Sequence, residues 1–224
     1  MKLFLLYLFA ALIAAANSLD CDCIADGKEC PSKVCTVDDT GGSCISAAWN
    51  YTKNSKAIPV SFQGCESNKT SFDACKEGDL FFTAGKNFTW NSVCCNKTKC
   101  NSHLPEVNTN VTRKVCPTCF VFSSKPCHGD KTNCTGSQDY CLTISGTYQD
   151  STVSSQDFYG QGCATQSAKI LVKGTNVTFG EVKISIATSD IKKATDGASL
   201  VHGSIAFTVL LPYLLGLLLD KFLY

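Results

Sequence analysis

Sixteen cysteines, all between residues 21 and 163, constrain this chain more than any other feature. Thiols at such density in a small protein either close into disulfides or hold metal. They fall into two groups. The first holds ten (Cys21, Cys23, Cys30, Cys35, Cys44, Cys65, Cys75, Cys94, Cys95 and Cys100) and the second holds six (Cys116, Cys119, Cys127, Cys134, Cys141 and Cys163). Between them, residues 103–115 contain no cysteine, are polar, and carry Pro105 and a glycosylation signal at Asn110, which is the composition of a linker. Both counts are even, as they are when each half closes its own bridges. Spacing alone leaves the connectivity open, since six cysteines allow fifteen pairings.

The two ends read as addresses that put those thiols in an oxidising compartment. Met1-Lys2, an apolar run over 3–16 and small residues at Ala16 and Ser18 fit a secretory signal peptide cut after Ser18, or alternatively after Ala16. That run is short for a membrane span, which takes about 20 apolar residues. At the other end, Asp196-Gly197-Ala198-Ser199, a spacer through Ser204 and an apolar tail over 205–219 form the pattern of a glycosylphosphatidylinositol (GPI) attachment signal. Asp196 or Gly197 would accept the lipid and the tail would leave. Trimmed to 19–196, the chain is about 9% cysteine, the density of a disulfide scaffold. Across the full chain, 20 Lys+Arg against 19 Asp+Glu supply no field for capturing nucleic acid. Composition therefore disfavours a cytosolic enzyme and a nucleic-acid binder.

The segments between cysteines alternate β-branched and aromatic residues with Gly/Asn turns, a hairpin pattern. Residues 43–52 and 57–65 flank a polar tip at 53–56, and 80–83 and 88–93 flank 84–87. In the second half, 140–148 faces 157–163, and 170–173 faces 177–186 across Gly174-Thr175-Asn176. No stretch keeps helical periodicity over three turns. The class is all-β and disulfide-rich. The halves also repeat each other: each opens on two close cysteines and reaches a glycine–cysteine pair, Gly64-Cys65 and Gly162-Cys163.

The first half, from Leu19-Asp20-Cys21 to the closing Cys94-Cys95-Asn96-Lys97-Thr98-Lys99-Cys100-Asn101, resembles the three-finger domain of the lymphocyte-antigen-6/urokinase-receptor family. The second half, from Cys116-Pro117-Thr118-Cys119 through Cys134-Thr135-Gly136-Ser137-Gln138-Asp139-Tyr140-Cys141 to Gly162-Cys163, is similar to the second domain of gamma-type phospholipase A2 inhibitors. The resemblance implies two tandem three-finger domains, 19–102 and 116–196, joined by the linker 103–115, with 1–18 and 197–224 removed. It implies the bridges Cys21–Cys44, Cys23–Cys30, Cys35–Cys65, Cys75–Cys94 and Cys95–Cys100, then Cys116–Cys141, Cys119–Cys127 and Cys134–Cys163. It also implies that Asn101 hydrogen-bonds into the palm. The chain departs from the family at Cys21-x-Cys23, where Cys-x-x-Cys is common. The second half lacks the last four cysteines, so its third finger would rely on strand pairing and packing. Modules of about 80 residues bury little apolar surface, and each bridge contributes roughly 2–4 kcal/mol.

Few residues suggest chemistry. Cys116-Pro117-Thr118-Cys119 has dithiol spacing, but strand residues follow it where a redox motif needs a helix. A zinc site would need further ligands. His103 lies in the linker and His128 in a turn, neither with an acid and a nucleophile in a recognisable arrangement, while His202 leaves with the tail. Asp38-Asp39 next to Thr40-Gly41-Gly42 reads as a turn. No catalytic residue, metal or cofactor is expected. Asn50, Asn68, Asn87, Asn96, Asn110, Asn133 and Asn176 stand in Asn-x-Ser/Thr signals. Glycans there would keep fingers two and three of the first domain from tight contacts. The aromatics Trp49, Tyr51, Phe81, Phe82, Trp90, Tyr148, Phe158 and Tyr159 are candidates for recognition or for packing. The expectation is a non-enzymatic, GPI-anchored cell-surface glycoprotein that binds an extracellular or cell-surface protein partner. The alternative is an inhibitor of secreted phospholipase A2 of the gamma type.

Overall fold

The computed structural model describes residues 18–25, 28–38, 41–67, 75, 78–151 and 153–197. The stretches at 3–16 and 205–219, Asn68, Asp39 and Ala198-Ser199 lie outside those residues. Among the described ones, no helix is long and apolar enough to cross a membrane.

The fold is all-β, with two tandem three-finger modules. In the first, β1 (Ser18–Ala25) and β2 (Lys28–Asp38) form finger one, β3 (Gly42–Lys53) and β4 (Lys56–Ser67) finger two, and β5 (Leu80–Thr83) and β6 (Phe88–Cys95) finger three. In the second, β7 (Val111–Pro117), β8 (Cys119–Val121) and β9 (Lys131–Thr135) make finger one. Finger two is β10 (Tyr140–Gln149) and β11 (Gln156–Ala164), and finger three is β12 (Asn176–Phe179) and β13 (Val182–Lys193). A short β14 (Thr195–Asp196) returns to β7. A 3-10 turn over Gln166–Ile170 interrupts the strands. Sequence dictates the longest hairpin directly: Asn54 and Ser55, with φ of +51° and +62°, form the two-residue turn between β3 and β4. A left-handed pair there matches the twist of the strands it joins.

Eight disulfides bind the palms. The first module carries Cys21–Cys44, Cys23–Cys30, Cys35–Cys65, Cys75–Cys94 and Cys95–Cys100. The second carries Cys116–Cys141, Cys119–Cys127 and Cys134–Cys163. The ladder between β1 and β2 shifts register between Asp22 and Ile24, so a bulge at Cys23 absorbs the short Cys-x-Cys spacing. Asn101, 2% exposed, accepts the Asp22 N–H at 2.9 Å through Oδ1. Its Nδ2 donates to the carbonyls of Asp22 and Ile45 at 2.9 and 3.1 Å. That one side chain ties the end of the first module to β1 and β3. The second module has no such asparagine, and its end is fastened by β14 against β7, by Gly197 N–H on the Arg113 carbonyl (2.7 Å) and by Lys114 on Asp196 (2.8 Å).

Two segments differ from the reading of the sequence. Residues 111–115, polar enough to pass for linker, belong to β7, because their backbone pairs with β9 and β14. The last hairpin turns at Gly180-Glu181 instead of 174–176: β12 pairs with β13 from Asn176↔Ser185 to Phe179↔Val182, and Gly180 takes φ +60°. Alternation decides it, since Val177, Phe179, Val182, Ile184 and Ile186 all face the core.

The modules share one sheet, ordered β2-β1-β4-β3-β6-β5-β11-β10-β13-β12, with β8 also on β11. At the seam Cys163 and Ala164 pair with Thr83 and Phe82. Gly162 makes this possible: a Cβ there would sit 1.8 Å from the Thr83 carbonyl oxygen. The seam covers the edge of β5, which in a lone module would present unpaired backbone. A single apolar core crosses it, from Trp49, Phe82 and Trp90 to Ile144, Tyr148 and Phe179. Phe179, on the third finger that lacks bridges, packs against three rings of the first module: Phe62, Trp49 and Trp90, at centroid distances of 5.3, 5.8 and 6.2 Å.

Phe179→Ala should therefore destabilise the protein by about 3–5 kcal/mol. Urea denaturation followed by tryptophan fluorescence reads this directly, because the two tryptophans of the chain are the two that Phe179 touches. A loss below about 1 kcal/mol, the typical cost of an arbitrary substitution, would mean that the first module does not hold this finger.

Candidate partner-binding surface

Of the eight aromatics that could have formed a recognition surface, seven are buried: Trp49, Tyr51, Phe81, Phe82, Trp90, Tyr148 and Phe158. Tyr159 is half-buried and accepts a hydrogen bond from Gln161 Nε2. The signal that distinguishes packing from recognition was present in the sequence. Trp49 and Tyr51 continue the two-residue period of Ile45 and Ala47, so a strand must put all four on one face. What the sequence does not contain locally is the second module that covers this face. The finger tips themselves are polar: Asn54, Ser55 and Lys56 on finger two of the first module, Lys86 and Asn87 on finger three, and Glu181 on finger three of the second are exposed.

Where finger two of each module and the linker converge lies an open groove of about 500 Å³. Ala48 lies between Ser61 of β4 and Asn91 of β6 in the register of the sheet. Asn50 of β3, Pro59 of β4, Leu104 and Val107 of the linker, and Asp150 and Ser151 beyond β10 are also part of the lining. The linker is drawn onto this face by backbone acceptors: Ser46 Oγ donates to the carbonyls of Asn101 (3.1 Å) and His103 (2.9 Å), and Asn91 Nδ2 to that of Glu106 (3.0 Å). Leu104 and Val107 consequently stand exposed at the groove, 45% and 48% accessible.

Asp150 sets the geometry at this end of the junction. One of its carboxylate oxygens accepts the hydroxyls of Tyr51 (2.8 Å) and Tyr148 (2.7 Å), one from each module, and the other accepts the Val153 N–H (2.7 Å). Trp49 Nε1 donates in turn to the Tyr148 hydroxyl at 2.9 Å. Burial, and then the hydrogen bond to Asp150, push the Tyr148 phenol far above its ordinary value. Across the seam a polar recess of about 490 Å³ is lined by Asp79, Asp139, Tyr140, Thr165, Ser167 and Lys193 among others. Thr165 and Ser167 donate their hydroxyls to the Asp79 carbonyl, and burial raises the Asp79 carboxyl. Both recesses offer contact surface.

The remaining sequence candidates are dispersed. Cys21, Cys35 and Cys65, and Cys116, Cys134 and Cys163, gather their sulfurs within 4.8 Å, a spacing that would suit a metal. Every one is bonded to another sulfur, and a disulfide lacks the thiolate that zinc requires. His103 and His128 are exposed, and His103 serves the fold through its carbonyl. Asn50, Asn87, Asn96, Asn110, Asn133 and Asn176 are all exposed, and Asn133 Nδ2 donates to the Thr112 carbonyl at 2.9 Å. Asp196 is held below its ordinary range by its hydrogen bond from Lys114.

The profile of the u-PAR/Ly-6 domain matches residues 18–103 and again 112–191. The chain belongs to the u-PAR/Ly-6 domain family. Its two matched regions correspond to the two three-finger modules, with β7 counted in the second. Among similar proteins, a phospholipase A2 inhibitor gamma subunit of Laticauda semifasciata is 28% identical over 156 residues, covering 66% of this chain and 83% of that one. A phospholipase A2 inhibitor gamma subunit of Elaphe climacophora is 25% identical over 75% of this chain and 86% of its own length. Phospholipase A2 inhibitor NAI of Notechis ater is 26% identical over 71% and 80% respectively.

The buried Tyr148 phenol on Asp150 makes this u-PAR/Ly-6 protein sensitive to alkali. The unfolded chain releases the Tyr148 proton near pH 10, whereas the folded protein keeps it. Stability is then fully present below about pH 10 and falls by about 1.4 kcal/mol per unit above it. Denaturation series at pH 8 to 11 on the wild type and on Tyr148→Phe measure this, and the variant should lose that part of the alkaline slope. Equal slopes would show that the phenol ionises as freely when folded.

Proposed function

We propose that this chain is an extracellular binding protein that captures and inhibits a secreted phospholipase A2. The observation that carries this reading is the pairing of two u-PAR/Ly-6 modules in one chain that aligns over most of its length with proteins named as phospholipase A2 inhibitors. Inhibition in this reading is steric. The protein contributes finger tips and the edges of its shared sheet as contact surface and supplies no reacting group. The disulfide palms suit it to the same oxidising surroundings as a secreted target. Purified glycosylated protein added to secreted phospholipase A2 should abolish lipid hydrolysis at micromolar, near-stoichiometric concentration. Unchanged hydrolysis rates across a panel of such enzymes would sink the reading.

A second reading, a lipid-anchored surface protein that recognises a partner on another cell or in solution, is favoured by the sequence from Asp196 onward. Chain up to Gly197 is tied into the fold through β14, so a GPI group on Asp196 or Gly197 would leave the base of the second module directly at the outer leaflet, fingers outward. Phosphatidylinositol-specific phospholipase C should then release the protein from expressing cells into the medium. Retention on the cells after that treatment would exclude the lipid anchor.

A further inference from the structure

We infer that the groove between β4 and the linker is the seat of the chain's own N-glycan, attached at Asn50. Asn50-Tyr51-Thr52 is a glycosylation signal, and its asparagine is exposed and is itself part of the groove lining. The acceptor lies in mid-strand, between Pro59 on β4 and Thr89 on β6, instead of on a loop tip. Two positions toward the palm, Ala48 offers a small side chain between Ser61 on β4 and Asn91 on β6, and Pro59, Leu104 and Val107 line the same groove. A sugar leaving Asn50 toward solvent would leave Leu104 and Val107 bare. One folded back over Ala48 covers them.

The chemistry of the cradle fits a hexosamine. Pyranose rings present C–H faces that pack on aliphatic side chains, with hydroxyls and an N-acetyl group around the rim. Here aliphatic groups line part of the groove, while Ser61, Thr89 and Ser151 bring hydroxyl-bearing side chains to it. The groove, about 500 Å³, falls in the range of pockets that enclose small ligands, roughly 300–1,000 Å³. A ligand tethered at one wall needs no affinity from solution, since attachment raises its effective concentration. The glycan then holds the linker against the sheet, and this face is closed to a protein partner, which must approach from elsewhere. This inference rests on the chain being glycosylated in the secretory pathway and is separate from which enzyme it inhibits.

The test uses full-length protein secreted from animal cells. Glycopeptide mass spectrometry first reads occupancy of Asn50; an unmodified Asn50 overturns the proposal at once. Hydrogen exchange is then compared between the intact glycoprotein, the same folded protein after enzymatic deglycosylation, and Thr52→Ala, which removes the signal but keeps Asn50. Amides at 58–61 and 104–107 should exchange on the order of tenfold faster without the sugar, equally in the enzyme-treated and variant proteins, with 140–149 unchanged. An occupied Asn50 with the same exchange in all three samples would mean that the glycan points into solvent, and overturns the seat. Protection of those segments that arises only on adding phospholipase A2 would also overturn it and give the groove to the partner protein.

Discussion

Phe179 stands where the second module has least covalent support. Its third finger carries none of the two bridges that fix the corresponding finger and closing turn of the first module, Cys75–Cys94 and Cys95–Cys100. A bridge acts mainly by restricting the unfolded chain, whereas a packed ring acts on the folded state through burial and dispersion. The chain has exchanged one for the other. Val177, Phe179, Val182, Ile184 and Ile186 turn inward, and Phe179 reaches the rings of Trp49, Phe62 and Trp90 across the junction. The consequence is an asymmetry: the first module is bound by five bridges of its own, while the second depends on the first for part of its core.

That dependence explains the seam. Strand pairing between β5 and β11 covers only two residue pairs, too few to hold two modules by itself. It is reinforced on both sides by polar groups that have no other reason to be buried. Gln138, wholly inaccessible, donates from Nε2 to the Cys163 carbonyl and accepts the Thr135 N–H at Oε1, with the Thr83 hydroxyl of the first module also at Nε2. Thr165 exchanges hydrogen bonds with the backbone of Phe81 through both its N–H and its hydroxyl. Buried polar groups without partners cost about 1–3 kcal/mol each, so these pairings fix one relative placement of the modules and penalise neighbouring ones. Asp150, between a tyrosine of each module, does the same at the other end of the junction.

Much of this was legible in sequence and some was not, for identifiable reasons. The cysteine groups, the Asn54-Ser55 turn and the glycine–cysteine repeat are local patterns, and local geometry follows from them. The reason for the second glycine is different from anything its sequence neighbours reveal: Gly162 is small because the Thr83 carbonyl, 79 positions earlier, lies against it. The burial of Trp49 and Trp90 is likewise decided by a finger more than eighty residues downstream. The two-residue period puts Trp49 on the face of Ile45 and Ala47, but it does not say which module covers that face. The turn at Gly180-Glu181 was readable from alternation and was obscured by the stronger Gly-Thr-Asn turn signal just before it. The strand over 111–115 carries no apolar pattern, because its pairing with β9 and β14 rests on backbone and polar side-chain hydrogen bonds, not on an apolar face.

The same packing sets terms for recognition. Interface hot spots are usually aromatic residues buried in the middle of a contact, and here the large aromatics are already committed to joining the modules. What the protein offers outward is polar at the finger tips, with Leu104, Val107, Val111 and Val172 as its exposed large aliphatic side chains among the described residues. Affinity for a protein partner must then come from many modest contacts made at low ordering cost. A shared sheet and a continuous core provide that: two modules fixed against each other present their tips in one arrangement, and the freedom that a hinged pair would lose on binding is already absent. In the inhibitor reading proposed above, the aromatic junction serves recognition indirectly, by giving up contact chemistry in exchange for a preset shape.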